Sequence, residues 1–223
     1  MAGFVLGVLA PAVCMAQGPD FRVEPLSEPP PAELSAGLRS ELTSGVRVFG
    51  SDGKPYVDIW LRKEIATSKE PGGAQGALQF PFLAQGDLLG AVRYAGEARD
   101  FRDQTLVKGV YTLRYGLQPE NGDHLGVSPV RDFGLLLPAE VDTKVDSPTG
   151  EALFETSAQA SGTEHPAILM MLATKGEGSG PAISHQEAKK WWLLRLPFTL
   201  KVAGKPESQS VAIDLVIDGI AEG

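Results

Sequence analysis

Cysteine is almost missing from this chain: 223 residues hold one, Cys14. It sits at the end of an apolar N-terminal run, Ala2 to Val13, that is too short to cross a bilayer. Cys14-Met15-Ala16 followed by Gln17 reads as the end of a secretory signal, with cleavage after Ala16, although no Lys or Arg precedes the apolar run. Pro11-Ala12-Val13 makes a poor lipobox. Once the signal is removed the mature chain has no thiol, which excludes disulfides, cysteine nucleophiles and thiolate metal sites. No later run approaches the length of a transmembrane segment. Basic residues are in deficit, 20 against 28 acidic ones, which argues against nucleic acid as a partner.

Catalytic motifs are lacking too. There is no Gly-x-Ser-x-Gly elbow and no His-Glu-x-x-His helix. Ser51-x-x-Lys54 matches the first motif of the penicillin-recognising serine enzymes by letters only, because Asp52-Gly53 before Pro55 imposes a turn where that motif needs a helix. Gly176, Gly178 and Gly180 are not followed by the helix a phosphate loop requires.

Alternation with period two is what the chain does have. Gly18 to Pro31 is proline-rich, a linker or an extended edge segment, and Leu34, Leu38 and Leu42 then share a helical face. From residue 45 onward strands dominate. Pro55 to Ile65 follows a hairpin turn at Ser51 to Lys54, with Val57, Ile59, Leu61 and Ile65 on one face and Tyr56, Asp58, Trp60, Arg62 and Glu64 on the other. Further strands are expected at Leu78 to Leu83 (broken by Pro81), Leu88 to Tyr94, Val110 to Tyr115 and Phe133 to Leu137. Ile168 to Ala173, Trp191 to Val202 and Val211 to Ile217 complete the set. In Trp191 to Val202, Trp192, Leu194, Leu196, Phe198, Leu200 and Val202 face inward. Glu151 to Ala160 is expected to be helical, and Lys175 to Lys190 a loop. No internal repeat is present. The chain therefore reads as mainly β: an antiparallel β-sandwich-like domain over 45–223 with one or two short helices and long loops. A linker and short amphipathic helix at 17–44 precede it, and a signal at 1–16.

Three sets of residues are candidates for function. The first lies on the strand and polar loop from Lys108 to Arg131. Arg114 is on the strand, Asp123 and His124 come after an Asn121-Gly122 turn, and Arg131 opens the next apolar run. The plainer alternative is that they satisfy loop backbone groups. The second set is His124, His165 and His185, which with Asp123 could hold a divalent transition metal such as zinc or copper. Their spacing does not require them to meet, and His165-Pro166 could simply order a strand start. The third set is Tyr56, Trp60 and Trp191, on outward strand faces where rings could stack on a glycan or a protein partner, unless a helix or loop covers them. The acid pairs Asp100/Asp103 and Asp214/Asp218 could serve general acid–base chemistry, but Asp214 and Asp218 are also explained by a solvated strand face.

The expectation is an exported, periplasmic or extracellular, non-enzymatic β-sandwich acting as a binding or interaction module. Metal binding through the histidines, and glycan binding or hydrolysis on the aromatic face, are the alternatives.

Overall fold

The computed structural model describes residues 20–119, 128–148, 150–175 and 180–221. Strands β1 (Arg22–Leu26), β2 (Leu42–Phe49), β3 (Pro55–Arg62), β4 (Ile65–Thr67), β5 (Leu88–Tyr94), β8 (Gly109–Leu117), β9 (Asp132–Pro138), β10 (Ile168–Ala173), β11 (Ala182–Gln186), β12 (Trp191–Val202) and β13 (Gln209–Asp218) form one large curled sheet. Its order is β1-β2-β3-β5-β8-β9-β10-β13-β12-β11, antiparallel throughout, with β4 added parallel to β12. β6 (Ala98–Arg99) and β7 (Thr105–Leu106) make a separate small hairpin.

The curl produces two layers, as in a β-sandwich. β10 turns one corner: Ile168 to Met170 pair with β9, and Met171 to Ala173 pair with β13. The chain running from β3 into β4 turns the other corner, since β3 lies between β2 and β5 while β4 bonds to β12. Strands that switch layers in this way are how sandwich corners are made. The interior holds the residues that alternation assigns to it: Val57, Ile59, Leu61 and Ile65 from β3 and β4, Leu194, Leu196, Phe198 and Leu200 from β12, and Ile213, Leu215 and Ile217 from β13.

The front layer (β1, β2, β3, β5, β8 and β9) is covered on its outside as well. Helix α1 (Ala36–Glu41), capped by Ser35 Oγ accepting from the Leu38 N–H, brings Leu34, Leu38 and Leu42 onto the outer face of β3, β5 and β8. It is shorter than the Leu spacing predicts, because Leu42 is already extended and paired with Arg62. Helix α2 (Glu151–Ser161) lays Leu153 and Phe154 over Phe133, Leu135 and Met170, and ends at Gly162 with a left-handed φ of 65°.

This cover overturns the outward-aromatic expectation. Trp60 does point away from the interior, yet it is fully buried beneath the N-terminal segment, where its indole N–H donates to the Glu28 carbonyl at 2.9 Å. Small neighbours leave it room: Gly45 and Ala91 sit opposite it on β2 and β5. A Cβ on Gly45 would lie 1.9 Å from the Ile59 carbonyl oxygen. Trp191 is buried with Phe101 and donates to the Ile220 carbonyl at 2.9 Å.

Two further expectations are corrected. Leu78 to Leu83 is turns rather than a strand, with Phe80 and Phe82 plugging the interior. The expected loop at 175–190 contains β11, which pairs with β12.

Candidate functional site

Most buried polar groups are consumed inside the fold. Arg114 is fully buried and grips Asp142 with two bonds, Nε to Oδ2 at 2.5 Å and Nη2 to Oδ1 at 2.9 Å. Its remaining donors reach the Gly86 and Lys144 carbonyls, and Thr112 Oγ1 also donates to Asp142. Asp132 accepts from the Gln79 and Phe80 N–H groups and, at 2.6 Å, from the Tyr115 hydroxyl. Burial and the Asp132 carboxylate beside it push the Tyr115 phenol upward. Asp100 takes N–H bonds from Arg102, Gln104 and Ile168 and one from the Gln104 side chain, so it closes a turn. Asp58 is held between Arg47 and Arg93, which both also reach Glu28. Arg131 Nε donates to the Gln118 carbonyl at 3.0 Å. Arg114 thus ties the segment at 142–144 to the sheet, and Arg131 bonds the backbone at Gln118.

Two surface hollows accompany these networks. One, of about 540 Å³, is lined by Glu28 to Ala32, Arg39 and Arg93. The other, of about 430 Å³, is lined in part by Asp142, Lys144 and Asp146. Arg93 is already bound by two acids and Asp142 by Arg114. In the first hollow Arg39 is half-buried, with no side-chain hydrogen bond or ion pair among the described residues; in the second, Lys144 and Asp146 are exposed.

The exception lies at one end of the sandwich, where β1 comes up to β11. Two register slips meet there. Val48 pairs with Val57 but Phe49 with Pro55, which leaves Tyr56 as an extra residue on β3. Leu193 pairs with Val216 but Trp192 with Asp218, which leaves Ile217 extra on β13. A bulge re-aims the side chains beside it. Tyr56 consequently turns from the face of Trp60 toward the interior cluster, packing edge-on to Tyr94 and donating its hydroxyl to the Ile217 carbonyl at 3.2 Å. Asp218 lies opposite Trp192, and His185 lies opposite Trp192 on its other side, so the three form one row across β13, β12 and β11. The His185 ring stacks on the Trp192 indole, 4.5 Å between centroids and 18° between planes. Phe21 closes the ring of aromatics, 5.0 Å from Trp192 and 5.4 Å from Tyr56.

Gly219 locks this end. Its φ of 132° and the closeness of Trp191 (a Cβ would fall 2.5 Å from the indole Cδ1) admit no side chain.

His185 is exposed here; Phe21, Tyr56, Trp192 and Asp218 are half-buried. Asp218 accepts no hydrogen bond among the described residues. Burial raises its carboxyl above its ordinary value, and the charge of His185 pulls it partly back. Burial, and the charge of Asp218, push the Tyr56 phenol up. An aromatic mouth with an unengaged acid at its lip can recognise a ligand; the paired-carboxylate chemistry considered for Asp214 and Asp218 would need a second free acid. Asp214 does not supply it, being tied to Arg195 at 3.4 Å and Thr174 at 3.1 Å.

The sequence singles out Tyr56 and His185 for different reasons, and the fold brings them to one place. Trp60 and Trp191 go instead to separate buried clusters. Asp123 and His124 lie outside the described residues. His165 is exposed in the loop before β10, and its carbonyl accepts from the Ser161 and Thr163 hydroxyls. Among the described residues no three His, Cys, Asp or Glu side chains gather as a metal site. Sequence reasoning missed Phe21 and Trp192 as site residues and raised Asp218 only as half of an acid pair with Asp214. Phe21 carries a weak signal, as a lone aromatic in a polar, proline-rich stretch.

Among the described residues no helix is long and apolar enough to cross a membrane. Comparison of the chain with protein-family models, with curated proteins and with solved structures finds no match to any of them.

Proposed function

We propose that the chain is an exported, non-catalytic β-sandwich that works as a binding module in the periplasm or outside the cell, with the aromatic mouth as its contact surface. One observation carries this reading. Asp100, Asp132 and Asp142 are each saturated with donors, whereas Asp218 is half-buried among rings without a hydrogen bond from any described residue. Folding alone gains nothing from such an acid, since removing a carboxylate from water costs free energy that donors or opposite charge must offset. Half-exposed aromatic rings add contact area at little entropic loss, as binding surfaces require. Export is supported by the apolar run Ala2 to Val13 followed by the small-residue site at Cys14-Met15-Ala16.

Indole resonances test the reading. The chain has three tryptophans, and the N–H groups of Trp60 and Trp191 are locked to carbonyls. A panel of small neutral, anionic and cationic solutes should shift the Trp192 indole N–H saturably and leave the other two in place. If no solute moves Trp192, or all three resonances move together, the mouth is not a binding surface. For export, mass spectrometry of full-length chain expressed in a secreting host should find a mature N-terminus at Gln17; retention of the intact chain inside the cell would overturn it.

A further inference from the structure

The binding reading of the mouth can be sharpened to a class of ligand, which stands only if that reading does. We infer that the mouth takes an organic cation, an ammonium or guanidinium head on an apolar stem, with the Asp218 carboxylate as its counter-ion and the rings of Phe21, Tyr56 and Trp192 as its collar.

The site is short of positive charge. The Asp218 carboxylate has no donor among the described residues, and the only opposite charge acting on it from them is that of His185. His185 is exposed and makes no hydrogen bond to the carboxylate. The strongest partner the acid can gain is an incoming cation, because a charged donor adds Coulomb attraction to the hydrogen bond that a neutral donor would make. The half-buried rings of Phe21, Tyr56 and Trp192 supply an apolar wall for the stem of such a ligand. The formal net charge of −8 favours the approach of cations over anions.

The same geometry disfavours other ligands. A sugar ring needs a bare aromatic face, but Trp192 is covered by His185 on one side and approached by Phe21 at 5.0 Å. A metal ion would find one carboxylate and one imidazole, short of the three or four protein ligands such sites use. An anion would meet the Asp218 charge directly. An alkylammonium instead fits a site with one acid and an apolar wall, whether it is a free amine or the side chain of a lysine.

The test titrates the full mature chain, at pH 8 and moderate salt, with n-butylammonium, n-butanol and n-butyrate, read at the Trp192 indole N–H. A lysine blocked at both ends is titrated alongside to separate a free amine from a side-chain source. Butylammonium or the blocked lysine should bind saturably, and butanol and butyrate at least about tenfold more weakly. Asp218→Asn should weaken the cation about tenfold or more, while Glu187→Gln, which removes an equal charge from the exposed turn after β11, should leave it nearly unchanged. Because Asp218 accepts no hydrogen bond from the described residues, Asp218→Asn is expected to fold, and unchanged Trp60 and Trp191 resonances would confirm that. Equal binding of butanol, tighter binding of butyrate, or loss of affinity to the same extent in both variants would overturn the cation inference. In the first two cases the mouth would still be a binding surface; silence of Trp192 toward every solute would remove both.

Discussion

Asp142 and Asp218 sit at the same chemical level and live in opposite circumstances. Asp142 lies on the covered side of the front layer, clamped by a fully buried guanidinium and a threonine hydroxyl. Asp218 lies at the open end between rings, with only the charge of His185 to help it. The first region spends its polar groups on holding a loop over a sheet. The second leaves an acid uncompensated where solvent can reach it. The contrast is between a carboxylate that collects donors and holds the fold and one that collects none among the described residues.

The largest effect is expected where the clamp is broken. Arg114→Met strands Asp142 in a dry place and should lower unfolding free energy by about 3–5 kcal/mol, measured by urea denaturation; a loss below about 1 kcal/mol would mean that Asp142 reaches water without its partner. Next comes Asp132→Asn, whose amide group would face the N–H donors of Gln79 or Phe80. It should cost about 1–3 kcal/mol, and an unchanged melting temperature would show that the turn at 78–83 does not depend on it.

Asp218→Asn should leave the melting temperature at neutral pH unchanged or raise it, the opposite sign from the other two acids. A clear drop would place Asp218 among the structural carboxylates and collapse the comparison. The smallest effect separates the acids by pH. Hydrogen bonds from Arg93 and Arg47 hold the Glu28 carboxyl below its ordinary 4.5, so its contribution is present above that value and fades as pH falls. The Asp218 carboxyl is held above 3.8, so its ionisation costs stability, increasingly as pH rises through that range. Melting curves from pH 3 to 7 should therefore show Glu28→Gln flattening the acid limb and Asp218→Asn gaining on the parent protein as pH rises. Parallel curves for all three would refute both assignments.

Much of the fold is legible in the residues. Alternation places the inward sets of β3, β12 and β13, Asp52-Gly53 gives the turn that Gly50 and Lys54 close with a backbone bond of 2.8 Å, and Glu151 opens α2 as expected. Period two tells which residues share a face; it does not tell what lies over that face. It misplaces Trp60 and Trp191 for this reason, since both are outward yet under cover. It also sends Asp218 to solvent, because strict alternation from Val211 assumes an unbroken ladder. The residue inserted at Ile217 breaks that assumption, and one slip of register reverses the facing of every residue beyond it. Nor does spacing in sequence reveal that Tyr56, His185 and Asp218, from three distant strands, end up at one mouth.

β10 has a consequence for how the molecule comes apart. Six consecutive residues serve both layers, Met170 bonded to one and Met171 to the other. The layers therefore share a ribbon that neither can release without fraying the other, so the molecule should tear as a unit. Amide protons of Leu169 and Leu172 ought to exchange at the rate of global opening, in step with each other.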